Sequence, residues 1–167
     1  MIMKVLLITE KLDKNDEVTS FFHGRLLDFA SKCETLLVLV LEKKSHNLPK
    51  KVDVLSLGKE KGLSKLNLLF NFYRYIFSHA SEYDHVFVYR SPIYIVLGGL
   101  FWRLLGKEIT LWYSHTYSDW TLRVATFFVN HIITSSENGF PFKTPKLRVI
   151  SNMGLESYVC LLNENKK

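Results

Sequence analysis

Glycine is missing where many α/β enzymes need it. The first apolar run, Lys4–Thr9 (KVLLIT), leads into Glu10–Glu17, and that turn holds none of the chain's eight glycines. A dinucleotide site needs a glycine-rich turn there, so that pyrophosphate can approach the backbone. A Rossmann dehydrogenase is therefore not expected. The phosphate-cradling GxxxxGK(S/T) motif is absent, and Gly58–Gly62 has lysines but neither that spacing nor the Ser/Thr. A receiver domain would gather acids at the ends of its first and third strands to hold magnesium. Here Glu10 is the only acid near the first, and the third ends in Leu57-Gly58. There is no GxSxG nucleophile elbow. The six histidines (His23, His46, His79, His85, His115, His131) form no i, i+4 pair, so no metal site is expected. The two cysteines, Cys33 and Cys160, lie far apart without metal spacing and read as reduced thiols.

Long apolar and long basic runs are missing too. The longest uncharged apolar run, Ile93–Trp102, falls well short of the roughly 20 residues that span a bilayer. Glu10, Lys11 and Asp13 cut short the apolar start Met1–Thr9, so no signal peptide is expected. Basic residues are scattered, and no nucleic-acid recognition motif accompanies them, so nucleic acid is not an expected partner. Reduced thiols and no leader point to the cytoplasm, with the inner face of the membrane as an alternative place of contact.

What is present suits one α/β domain. The 167 residues are enough for one core and not comfortably for two. The formal net charge of +6 points to anionic neighbours such as phosphate or an acidic membrane surface. Strands are expected at Lys4–Thr9, Glu34–Leu41, Val52–Leu57, Asp84–Tyr89, Glu108–Tyr113, His131–Ser135 and Leu147–Ser151. Helices are expected over Val18–Lys32, with Asp16 as N-cap, and from after Gly62 to Ser81. A third starts with Ser91 as N-cap and Pro92 at the first helical position, and ends near Leu105 with Gly106. A fourth is capped by Ser118 or Asp119 and runs to Asn130. The continuous apolar run ETLLVLVL suits a parallel sheet covered on both faces. The order predicts a doubly wound, mostly parallel, Rossmann-like sheet of about seven strands.

In such a sheet ligands bind outside the carboxyl ends of the strands. Glu108–Trp120, EITLWYSHTYSDW, is a buried strand that ends in a polar loop and leads into a helix, and His115 sits at that strand end. It is either a half-exposed loop histidine bonded to nearby backbone or a site residue. The same rim collects Asp13–Glu17, Arg90-Ser91, Ser114–Asp119, Ser135–Asn138 and Asn152. Each is read singly as loop polarity; as a set they favour a ligand cleft, because helix N-termini with free N–H groups face the same rim. The aromatic helices are read as core. The alternative is a basic, amphipathic membrane-contact surface of Phe72, Tyr73 and Trp102 with Arg74, Arg103 and Lys107.

Four segments, in order, carry a family resemblance: KVLLITEKLDKNDEVTSFFHGRL, YDHVFVYRSPIYIVLGGLFWRLLGKEITLWYSH, HIITSSENGF and KLRVISNMGLE. On these the chain resembles the amino-terminal, acceptor-binding half of a family 4 glycosyltransferase of the two-domain GT-B fold. The resemblance implies a retaining transfer of sugar from a nucleotide-sugar donor to a glycan or lipid-linked acceptor, with no metal or other cofactor. His115 matches the histidine that faces the sugar at the interdomain cleft and is the implied catalytic residue. Asp16, Glu17 and His23 fall on the loop and helix that reach donor phosphate or acceptor. Arg90, Ser91, Ser114, Ser136, Glu137 and Asn152 are implied to line the cleft. Two departures stand out. The first loop lacks the family's glycine pair, and Ser151–Glu156 reads SNMGLE where the family has Gly-(His/Asn)-Gly-(Ile/Val)-Asp. Residues 1–155 are expected to form the domain and 156–167 a polar tail. The donor-binding domain is expected on a separate or missing polypeptide, without which the chain is inactive. The competing expectation is a non-catalytic α/β binding or membrane-docking module.

Overall fold

A computed structural model describes residues 3–13, 17–49 and 51–150; for 17–23 and 25 it describes the backbone alone. Seven strands form one wholly parallel sheet: β1 (Met3–Leu12), β2 (Cys33–Lys43), β3 (Val52–Ser56), β4 (His85–Tyr89), β5 (Glu108–Trp112), β6 (His131–Thr134) and β7 (Leu147–Val149). Their spatial order is β3-β2-β1-β4-β5-β6-β7. Among the described residues four α-helices connect them: α1 (Glu17–Lys32), α2 (Lys65–Ser78), α3 (Ile93–Leu104) and α4 (Trp120–Phe128). This is the doubly wound α/β fold expected from the alternation of elements.

The strands read as continuous apolar runs because both faces are covered, and successive side chains point to opposite faces. Val5, Leu7, Val38, Val40 and Phe87 join Leu26, Phe29 and Ala30 of α1 on one face. Leu6, Ile8, Leu37, Leu39, Val86, Ile109 and Leu111 join Phe72, Ile76, Trp102, Leu122 and Ala125 on the other, beneath α2, α3 and α4. Phe72 and Trp102 are fully buried there, as the core reading of these helices expects, and the alternative membrane surface that included them is set aside. Trp102 Nε1 donates to the Tyr83 hydroxyl at 3.0 Å, and Tyr83 donates to the Ile76 carbonyl at 2.9 Å. Burial pushes the Tyr83 phenol up to about 12. A Cβ on Gly98 would stand 2.6 Å from the Trp102 ring, and one on Gly99 2.8 Å from Phe128. Both positions are therefore reserved for close approach.

Some boundaries move. β1 continues past Thr9 and β2 past Leu41, because the ladder carries on through Lys11↔Glu42 and Leu12↔Lys43. Parallel pairing uses backbone groups and does not need an apolar side chain. α2 ends at Ser78 rather than Ser81. Pro92, not Ser91, occupies the N-cap of α3, with no side-chain capping bond. Asp119 does cap α4, accepting from Leu122 N at 2.9 Å. Cys33 is buried, and burial raises its thiol to about 11 against the pull of Lys51. Cys160, Ser151 and the Asn152–Gly154 turn lie outside the described residues.

Candidate functional site

The strand order reverses between β1 and β4. Side by side, with their following segments leading away in opposite directions, these strands open a crevice at their carboxyl ends. Ser91 and Glu10, 81 residues apart in sequence, close its floor: the Ser91 hydroxyl donates to Glu10 Oε1. Ser91 thus gives its hydroxyl proton to a carboxylate from another strand, and α3 starts without a side-chain cap.

Arg90 takes φ +68, the left-handed region, and is the one non-glycine among the described residues to do so. For a residue with a Cβ this conformation costs about 1–2 kcal/mol. It is held by Arg90 N donating to the Trp112 carbonyl at 2.8 Å. The turn aims the guanidinium at the end of β5, where Arg90 Nη2 lies 2.9 Å from His115 Nε2. A guanidinium only donates, so Nε2 accepts and Nδ1 carries the ring proton. The His115 ring also meets the Tyr113 ring edge-on, with centroids 5.6 Å apart. Tyr113 donates to the Tyr117 carbonyl at 2.9 Å, tying down the loop that bears His115. Burial, then Asp119 and Tyr117, raise the Tyr113 phenol, and Arg90 opposes them. Among the described residues Arg90 has no carboxylate partner.

One strand further on, the hydroxyls of Ser114 and Ser135 bond to each other across the ends of β5 and β6. Gly139 sits against them. A Cβ there would lie 2.3 Å from Thr134 Oγ1, 3.0 Å from Ser136 Oγ and 3.1 Å from Ser114 Oγ. Among the described residues Thr134 is fully buried, yet its Oγ1 has no hydrogen-bond partner, and neither has the buried Ser118 Oγ nor, within β5, Thr110 Oγ1. Buried hydroxyls are nearly always paired, so two orphans near one rim need a reason.

The structure thus brings together Arg90, Ser91, Ser114, His115 and Ser136. Glu137 is exposed on the Ser136–Gly139 turn. Glu17 and His23 lie on the first turns of α1, with their side chains outside the described residues, as are Asp16 and Asn152 altogether. Glu10, Thr134 and Gly139 are additions that sequence reasoning missed. The Glu10–Ser91 contact was reachable, because a reversal of strand order at the first strand makes β1 and β4 neighbours. Nothing in the residue pattern marks Gly139. Among the described residues no group of three or more His, Cys, Asp or Glu is disposed to hold a metal ion. A guanidinium without a carboxylate partner among the described residues, an imidazole beside it and a group of hydroxyls suit a polyhydroxylated or anionic ligand.

Solved structures share this architecture. UDP-GlcNAc 2-epimerase from Methanocaldococcus jannaschii superposes with a TM-score of 0.60 at 13% identity, over 99% of this chain and 50% of that one. HepE from Anabaena, in complex with UDP, gives 0.56 at 14% identity, over 89% of this chain and 43% of its own. The fold is that of a GT-B half-domain. MurG from Acinetobacter baumannii matches likewise, at 0.53 and 15% identity, over 87% of this chain and 44% of MurG. The half-domain therefore spans about half the length of the structures it matches. At these identities the likeness is one of fold. No protein-family model and no curated protein matches the sequence.

Proposed function

We propose that this half-domain is the acceptor-binding, amino-terminal half of a family 4-like retaining glycosyltransferase. It works with a donor-binding domain and is inactive without one. The observation that carries the reading is the Arg90–His115 pair, at 2.9 Å, standing at the switch point of a GT-B half-domain. Arg90 adopts a backbone conformation that costs energy in order to make this contact, which suits a site residue better than a structural one.

In this reading His115 meets the sugar being transferred and orients it through its hydroxyls. Arg90 holds the imidazole and adds positive charge toward the departing diphosphate; the other cations that group needs belong to the donor-binding domain. Ser91, Ser114, Ser136 and Glu137 line the acceptor side, and Asp16, Glu17, His23 and Asn152 complete it from the first loop and after the last strand. The sugar passes from nucleotide diphosphate to an acceptor hydroxyl on a glycan or lipid-linked sugar, with its anomeric configuration kept. UDP is the carrier we favour, because one neighbour of like fold is in complex with UDP and another is a UDP-GlcNAc 2-epimerase by name.

The test is recovery of the chain from its native cells with whatever polypeptides accompany it, followed by incubation with UDP-sugars and glycan acceptors. Acceptor-dependent transfer with retained configuration supports the proposal. Release of an epimerised UDP-sugar without any acceptor contradicts it, as does recovery of no nucleotide-sugar-binding partner and no turnover.

A further inference from the structure

α2, α3 and α4 lie side by side on one face of the sheet. Phe77 of α2 meets Phe101 of α3 at 4.3 Å between ring centroids, and Phe128 of α4 packs on Gly99 of α3. Each helix buries one apolar stripe, as a globular helix must, and each exposes a second. On α2 the exposed stripe is Leu66, Phe70 and Phe77; on α3 it is Ile93, Leu100 and Leu104; on α4 it is Trp120, Val124 and Phe127. Spacings of four, seven and eleven residues on α2 and α3, and of four, three and seven on α4, put each set in line along its helix. The exposure is large: 80% for Phe127, 78% for Leu104, 77% for Leu66 and 68% for Phe70. On the opposite face, Leu27 at 38% is the one exposed large apolar side chain among the described residues of α1. Solvent-facing apolar groups gathered over three adjacent helices mark a contact surface rather than ordinary scatter.

Charge says what covers it. The segments of α2, α3 and α4 contain no Asp or Glu, whereas Lys65, Arg74, Arg103 and Arg123 are all exposed on them. Beside Phe127 a cleft of about 470 Å³ is lined by Arg123, Phe142, Lys143 and Lys146. Arg123 stands over the Phe142 ring at 5.2 Å, and Lys146 Nζ donates to the Thr126 carbonyl at 2.8 Å. A second copy of this face would bring cations against cations with no acid on those helices to relieve them. A surface of aliphatic and aromatic side chains, cationic and without acids, complements an anionic lipid interface. Among the described residues no helix is long and apolar enough to cross a membrane, so the contact is one of lying on the surface.

We propose that the α2–α3–α4 face docks on bilayers containing anionic phospholipid, with Leu66, Phe70, Leu104 and Phe127 entering the interface and headgroup phosphate meeting Arg123, Lys143 and Lys146. The proposal does not depend on the glycosyltransferase reading.

The experiment is flotation of the whole chain with phosphatidylcholine vesicles, with and without about a third of phosphatidylglycerol. Binding is expected to the mixed vesicles and to be at least tenfold weaker to neutral ones. Leu104→Ser with Phe127→Ser should abolish it. Arg103→Gln and Arg123→Gln should each weaken it about fivefold. Leu27→Ser, on the other face, should leave it unchanged. Thermal melting of each variant checks that the fold persists. Equal binding to neutral vesicles, no binding to either, or indifference to the double Ser variant overturns the proposal. So does a stable dimer that Phe127→Ser separates, since the face then belongs to a second copy.

Discussion

Both ends of the sheet place a histidine beside a charged residue from a neighbouring strand, and the two ends do opposite things with it. At the amino end Glu108 on β5 stands between His85 Nδ1 on β4, at 3.1 Å, and His131 Nε2 on β6, at 3.0 Å. Lys107 there has Asp84 at 3.6 Å and also reaches the Tyr83 carbonyl. Glu108 answers two histidines and Lys107 has a carboxylate, which is how a stabilising cluster looks, though the buried Thr110 Oγ1 on the same strand has no partner among the described residues. At the carboxyl end Arg90 faces a histidine rather than a carboxylate, its backbone is left-handed, and buried hydroxyls nearby lack partners. The left-handed backbone and the buried hydroxyls without partners are costly in a folded chain, whereas the exposed guanidinium is free to meet a ligand. The comparison teaches that a histidine is read as structural or functional by its partners, not by its burial or its strand position.

After loss of His115 itself, the largest effect should come from Arg90. In the assembled enzyme Arg90→Ala is expected to lower kcat/KM by roughly a hundredfold, while steady-state assays with Glu108→Ala show wild-type turnover by the folded fraction. If Arg90→Ala turns over normally, the contrast between the two rims is lost. Stability should respond the other way. Chemical denaturation of Glu108→Ala should show a loss of about 2–3 kcal/mol, because two histidines lose a carboxylate partner. Arg90→Gly, free of the left-handed penalty, should gain about 1 kcal/mol while still losing activity.

A further variant probes stability at the carboxyl rim. Gly139→Ala would press a methyl group to within 2.3 Å of Thr134 Oγ1, and a cost of about 1–3 kcal/mol is expected by the same denaturation measurement. Alkali provides a fourth test, at the amino end. Burial holds the folded-state value of Tyr83 at about 12, above its ordinary value of 10. Its contribution is fully present below pH 10 and is lost as pH rises toward 12. Denaturation at pH 9 and pH 11 should show stability falling with pH, less steeply in Tyr83→Phe. The smallest effect belongs to Thr134→Val. Removing an unpartnered hydroxyl should change stability by less than about 1 kcal/mol, with any loss appearing in acceptor KM.

Much of the fold was legible because its signals are local and repeated. Apolar strand runs such as ETLLVLVL and helix-period stretches between them, with caps such as Asp119, set element type and order. The parallel sheet then follows from few alternatives. The rim was legible as a location for the same reason, since the strand ends of β4, β5 and β6 carry Arg90, Ser114, His115 and Ser136. What was not legible depended on pairings distant in sequence. Ser91 reads as a helix cap until Glu10 arrives from another strand. Gly139 reads as an ordinary loop glycine until Thr134, Ser136 and Ser114 surround it. The left-handed turn at Arg90 has no residue signature, because an arginine takes that conformation only under tertiary constraint. Trp102 and Phe72 read as core from their helices, and the structure places them there.

The most direct test of the central claim is sugar transfer by the assembled enzyme carrying His115→Ala, with the melting temperature read on the same sample. The account predicts that transfer is abolished and that melting is unchanged within a degree or so, since His115 is exposed and buries little on folding. Transfer at the wild-type rate would contradict it.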